Sequence, residues 1–172
     1  MNGQVKPRFH HILIAALAAL AVASLGGWLT DIGPWYKALV QPAWKPSDFW
    51  FGPAWTTIFV LAATAGVMGW RAAPNAVARR WLLVLFGLNA ALNSLWSLLF
   101  FKLQRPDWAL AEVGVLWLSI AALMWALRGY APKASWLLLP YLMWVAFAAV
   151  LNLVTVQLNA PFAMLAAAGG LS

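Results

Sequence analysis

The chain contains no cysteine, which excludes disulfides, thiolate-ligated metals and thiol nucleophiles. Acid is nearly as scarce: four Asp and Glu stand against eleven Lys and Arg, and charged residues make up only 9% of the sequence. A soluble domain carries about 25% charged residues, so too little polar surface remains to cover a globule in water. Histidine is confined to the adjacent pair His10 and His11, and Asp31, Asp48 and Glu112 have no ligand partners at readable spacing. No metal site is therefore expected, and zinc or histidine-ligated haem is disfavoured. The apolar runs lack the ionisable residues of a proton- or ion-coupled transporter. There is no internal repeat, no low-complexity linker and no second domain.

What remains is 65% hydrophobic, with a mean hydropathy of +0.80 and thirteen Trp. The pI of about 10.4 could suggest nucleic acid, but the basic residues fall in ones and twos between apolar runs. Without a basic face, nucleic acid is not an expected partner. The lipid bilayer is.

A hydrocarbon core of about 30 Å takes roughly 20 apolar residues to cross. Five windows qualify, about 11–29, 51–70, 81–101, 108–127 and 135–158. The fold class expected is an all-α membrane protein, a single domain of five transmembrane helices over residues 1–172. Charges mark the borders: Arg71, Arg79 and Arg80; Lys102, Arg105 and Asp107; Arg128 and Lys133. Asp107 is placed to cap the fourth helix, and Pro53 falls in a first turn that tolerates proline. Seven of the eleven Lys and Arg fall on the side of the N-terminus and four on the other, so the N-terminus is expected in the cytoplasm and the C-terminus outside. The first span has an alternative reading as a signal peptide, with Lys6 and Arg8 before it and cleavage after Ala23. The tail 160–172 is small and apolar, and uninformative.

Three connections are short and predict antiparallel neighbours. The first, about 30–50, is long and carries Pro34, Pro42, Pro46, Trp35, Tyr36, Trp44, Phe49 and Trp50. Such a segment reads as an aromatic, proline-rich loop capping the outer end of the bundle, with an interfacial belt lying on headgroups as the alternative. Trp28, Trp50, Trp70, Trp81, Trp108 and Trp136 lie near span ends, where interface anchoring accounts for them. Trp55, Trp96, Trp117, Trp125 and Trp144 lie within spans. Depth places Trp55, Asn93, Trp96, Trp144 and Asn152 in the outer half or near the midplane, with Gly26, Gly27 and Glu112, so a pocket is expected there. In the third span Asn89, Asn93, Trp96 and Phe100 share one stripe, while Gly87, Ala91, Ser94 and Leu98 share the opposite one. In the fifth, Pro140, Trp144, Ala148 and Asn152 recur every four residues. The alternative is that Asn93 and Asn152 only bond neighbouring helices. The small stripe of the third span suits either a homodimer interface or packing within the subunit.

Five ordered blocks carry a resemblance: SLGG (24–27), WYKALVQPAWKPSDFWFGPAWTTIF (35–59), LNSLWSLLFF (92–101), WALAE (108–112) and PYLMWVAFAAVLN (140–152). The chain resembles the TspO family, also called the tryptophan-rich sensory protein or translocator protein family. The resemblance argues against cleavage after Ala23. It implies a five-helix bundle whose pocket is closed by the first loop and binds porphyrin or haem, with sterol and synthetic ligands known for animal members. Some bacterial members promote light-dependent breakdown of protoporphyrin, and the two Trp involved map onto Trp55 and Trp144. The implied lining also includes Tyr36, Pro46, Phe59, Asn93, Trp96 and Ala148. Two departures stand out. Ser47 replaces the usual second proline of the loop, and LVTVQLN follows Asn152 where the animal sterol motif needs a Tyr and a basic residue. The function expected is tetrapyrrole binding in a sensor, regulator or scavenger, with no required cofactor and at most a light-dependent degrading activity. The rival is a carrier of amphipathic ligands such as porphyrins or sterols.

Overall fold

The structure, a computed structural model, describes residues 9–162. Helices α1 (Phe9–Leu29), α2 (Pro34–Ala38), α3 (Phe51–Ala72), α4 (Ala76–Ser97), α5 (Pro106–Arg128), α6 (Pro132–Leu137) and α7 (Leu139–Asn159) follow in order. Among the described residues five stretches are long and apolar enough to cross a membrane: Phe9–Leu29, Asp48–Ala72, Ala76–Lys102, Pro106–Arg128 and Pro132–Asn159.

Local chemistry sets the ends. Asn75 caps α4, its side-chain oxygen accepting from the Ala78 N–H at 2.8 Å. Pro106 and Pro132 open α5 and α6, where a missing N–H costs nothing. Asp107 does not cap α5 as its position suggested. Arg105 takes the capping position, and Pro106 moves Asp107 into the first turn. There its carboxylate accepts from Arg105 Nε at 2.8 Å and still faces the positive end of the helix.

Two other expectations change. The fifth span is not one helix, because Pro140 cannot donate and its ring opposes the carbonyl four residues back. The backbone breaks at Leu138, between α6 and α7. The third span begins earlier, at Ala76, and ends in a π-helical turn, Leu98–Lys102, with Leu103 N–H bonded to the Leu98 carbonyl at 2.9 Å. Both changes lie in membrane segments, where freed backbone groups must be satisfied by the protein.

At the centre stands α5, which contacts α4 and α7 most extensively and buries Ile120, Leu123 and Leu127 completely. α3 and α4 meet only lightly despite their short turn, and α3 packs chiefly on α1 and α6. A Cβ added at Gly69 of α3 would sit 2.5 Å from Leu127 Cδ2, so that glycine sets the approach of α3 to α5. α1 is peripheral, burying only Leu29, as expected of an apolar helix facing lipid. A directed chain of hydrogen bonds crosses the core: Asn93 Nδ2 donates to the Tyr141 oxygen at 3.2 Å, Tyr141 O–H to Asn89 Oδ1 at 3.2 Å, Asn89 Nδ2 to Ser119 Oγ at 2.8 Å, and Ser119 O–H to the Leu116 carbonyl at 2.7 Å. It ties α4, α5 and α7 together.

Residues 30–50 close one end as a packed cap. Leu39 is buried with Phe100, Ala109 and Phe162, and Trp35 and Tyr36 pack on that cluster. The Asn159 amide pairs with Val40 in both directions, accepting its N–H at 2.8 Å and donating to its carbonyl at 2.9 Å. Asn159→Ala removes both bonds, each worth about 1 kcal/mol. Hydrogen exchange at the Val40 amide is expected to accelerate about tenfold or more while α5 amides stay protected.

Candidate ligand-binding site

Beneath this cap lies a cavity of about 490 Å³, within the range that holds small ligands. α1 contributes Ala23, Gly26 and Gly27, and α3 contributes Phe51, Gly52, Trp55, Thr56 and Phe59. Asn93, Trp96 and Ser97 enter from α4, Phe100 and Phe101 from the π turn, and Val113 and Leu116 from α5. α7 supplies Trp144, Val145, Ala148, Leu151, Asn152 and Thr155, while Tyr36, Gln41, Lys45 and Asp48 descend from the cap.

The walls are aromatic in a specific way. Trp55 stacks on Phe59 with centroids 5.4 Å apart and meets Tyr141 edge-on at 6.1 Å. Trp96 stacks on Phe100 at 5.1 Å, and Trp144 stands edge-on to Phe51 at 5.5 Å. Three polar atoms of lining residues are buried without a hydrogen-bond partner among the described residues: the indole Nε1 of Trp96, that of Trp144, and Asn152 Oδ1. Gln41 Nε2 is a fourth. A native protein pairs nearly all buried polar atoms, so these four, together with both carboxylate oxygens of Glu112 outside the lining, leave hydrogen-bonding capacity unused near the cavity. Among the described lining residues, the charged ones come from the cap alone. Tyr36 O–H donates to Asp48 at 2.8 Å, Lys45 forms an ion pair with Asp48, and Lys45 Nζ lies 5.4 Å from the Tyr36 ring centre. Burial pulls the Lys45 ammonium down, but its bonds to Asp48 and Tyr36 outweigh burial and the net shift is upward, so it is a cation at neutral pH. Burial raises the Tyr36 hydroxyl, which is a neutral donor there.

Of the residues expected at the site, Tyr36, Trp55, Phe59, Asn93, Trp96, Trp144 and Ala148 line this cavity. Pro46 does not; it is half-buried in the loop beside Lys45. Glu112, expected in the same half, is buried at 8% exposure outside the lining. Trp117 packs on the core, and Trp125 is 68% exposed on the outer face of α5. Both Asn residues also bond neighbouring helices, Asn93 to Tyr141 and Asn152 Nδ2 to the Pro106 carbonyl at 2.8 Å. Sequence reasoning missed Gln41, Lys45, Phe51 and Phe101. Of these, Phe51 had a readable signal, lying one helical turn before Trp55.

The profile of the TspO/MBR family matches residues 14–158, a span that reaches into every long helix. The chain belongs to the TspO/MBR family. It is similar to the tryptophan-rich protein TspO of Chlorobaculum tepidum, 39% identical over 73% of this chain and 79% of that one. The tryptophan-rich sensory protein of Cereibacter sphaeroides is 33% identical, covering 86% of this chain and 91% of its own. The translocator protein of Sus scrofa is 34% identical, covering 81% and 86%. With five apolar helices and this membership, the TspO/MBR chain is a multi-pass membrane protein.

Proposed function

We propose that this protein binds a tetrapyrrole, porphyrin or haem, in the cavity beneath the cap and acts as a membrane sensor, regulator or scavenger of it. The observation that carries this reading is the gathering of Trp55, Trp96 and Trp144 around one cavity of about 490 Å³, with the indole N–H groups of Trp96 and Trp144 unpartnered among the described residues. A flat macrocycle supplies a large π-face for stacking, each aromatic pair adding about 0.5–1.5 kcal/mol beyond area burial. Its acidic substituents supply acceptors for Trp96 and Trp144 Nε1 and a counter-charge for Lys45. Light-dependent breakdown fits the same site: Trp55 and Trp144 supply easily oxidised indoles beside the excited ring, and would be its catalytic residues. The name translocator protein carried by the Sus scrofa relative favours a second reading, a carrier of porphyrins, sterols or similar amphipaths. Titrating purified protein with protoporphyrin while following Trp quenching, in the dark and then lit, separates the readings. Saturable quenching supports binding, product formed only under light supports degradation, and flux into liposomes supports the carrier. No saturable quenching overturns the proposal.

The cap is assigned to the outside, with the N-terminus cytoplasmic and the C-terminus outside, on the excess of Lys and Arg at the opposite end. The absence of native cysteine makes labelling clean. Cys at exposed Ser47 is expected to react with an impermeant maleimide added to intact cells, and Cys at exposed Pro74 is not; Asn75 is spared because it caps α4. The reverse pattern inverts the topology.

A homodimer through α4 is proposed as well. Gly87 and Ala91 are exposed, and a Cβ at Gly87 would meet nothing within 4 Å, so no described residue packs on this face at Gly87. Small residues let backbones approach where lipid removes the hydrophobic drive. Gly87→Leu with Ala91→Leu is expected to shift a detergent-stable dimer to monomer on size exclusion with light scattering. An intact dimer removes this interface.

A further inference from the structure

A second cavity, of about 480 Å³, lies at the opposite end of the bundle and plays no part in the proposed ligand site. His11 in the first turn of α1, Trp70 and Arg71 in the last turn of α3, and Arg79 in the first turn of α4 line it. The Arg79 guanidinium lies 5.6 Å from the Trp70 ring centre, and the His11 ring lies 5.8 Å from the same indole. Two guanidinium groups and an imidazole thus converge on one cleft around an aromatic post.

Charge is segregated along the bundle. All four acids of the chain, Asp31, Asp48, Asp107 and Glu112, lie toward the capped end. The first turn of α4, Ala76 to Arg79, contains no acid and ends on Arg79, with Arg80 directly after it. Cations there oppose the positive end of the helix dipole, an arrangement that an anion would relieve. Trp70 and the exposed Trp81 mark the level where indoles sit among lipid headgroups. Guanidinium groups take phosphate oxygens bidentately, and basic pockets between membrane helices at headgroup depth suit anionic lipids.

We propose that this cleft is a phosphate site that seats the headgroup of an anionic membrane lipid between Arg71 and Arg79. The proposal stands independently of the tetrapyrrole reading. Its test uses the full chain, stripped of lipid in detergent and titrated with phosphatidylglycerol, phosphatidylcholine or inorganic phosphate, with bound lipid counted by native mass spectrometry. Phosphatidylglycerol is expected to bind about tenfold tighter than phosphatidylcholine. Arg71→Gln with Arg79→Gln should erase that preference, and Arg79→Gln alone should reduce it several-fold. Arg80→Gln changes the same charge one residue away but outside the lining, and should leave the preference within about twofold. All three arginines are exposed, so the variants are expected to fold, with circular dichroism as the check. Equal binding of the two lipids, or an Arg80→Gln effect matching Arg79→Gln, overturns the site. Tight binding of inorganic phosphate with no lipid preference overturns the headgroup and leaves a soluble phosphate compound as the ligand.

Discussion

Trp144→Phe is expected to cut light-driven porphyrin breakdown by more than about tenfold while lowering dark affinity only about fivefold, the equivalent of one hydrogen bond. The substitution is clean for a structural reason. Trp144 Nε1 has no partner among the described residues, so removing it breaks no bond seen there, and Phe retains the ring contacts with Phe51 and Phe147. What is lost is a donor to the ligand and the ease with which an indole gives up an electron. Trp55→Phe should behave alike, since Trp55 stands on α3 across the same cavity and would keep its stack on Phe59. Asn93→Ala differs: it breaks the bond to the Tyr141 hydroxyl and so weakens binding and the fold together. Trp81→Phe, 62% exposed at the far end, is the control and should change neither quantity. Equal damage from Trp81→Phe would mean that the indoles act through general stability.

Ala148→Phe is expected to lower porphyrin affinity by about a hundredfold or more, because a ring then occupies the space where the ligand's own ring would stack. Ala148 lies on α7 one turn after Trp144 and one before Asn152, with its side chain on the cavity. Growth at that position enters open volume, so the strain of overpacking a filled core, about 1–3 kcal/mol, is avoided. Thermal stability should be nearly unchanged. Val150→Phe places the same ring on a residue of α7 outside the lining and 53% exposed, and should leave the titration as it was. Loss of affinity in both would place the ligand on the surface of α7 instead.

The sequence declared its spans because charge and hydropathy change together at each border, as at Arg71–Arg80 and Lys102–Asp107. Much of the site was legible for a related reason. A polar or indole side chain at membrane depth needs an explanation, and helical phase puts Asn93, Trp96 and Phe100 on one stripe. Backbone irregularities left weaker marks. The π turn at Leu98–Lys102 brings Phe101 into the cavity beside Phe100, and nothing in LLFFK signals a helix widened by one residue. Pro140 was visible, but whether a proline bends or breaks a membrane helix depends on what satisfies the freed carbonyl. The cap was the least legible part. Its hold on α7 is a reciprocal amide pair between Asn159 and Val40, residues 119 apart, and its charge comes from Lys45 folded back onto Asp48 and Tyr36. Pro46 carries the family's loop pattern without reaching the lining, since the turn aims Lys45 and Asp48 inward in its place.

A structure determined with protoporphyrin bound locates the macrocycle. Density is expected between α3 and α7 beneath residues 30–50, with an acidic oxygen about 3 Å from the indole nitrogen of Trp96 or Trp144. Density on the lipid-facing side, for instance against exposed Trp125, with the cavity unchanged, would contradict it.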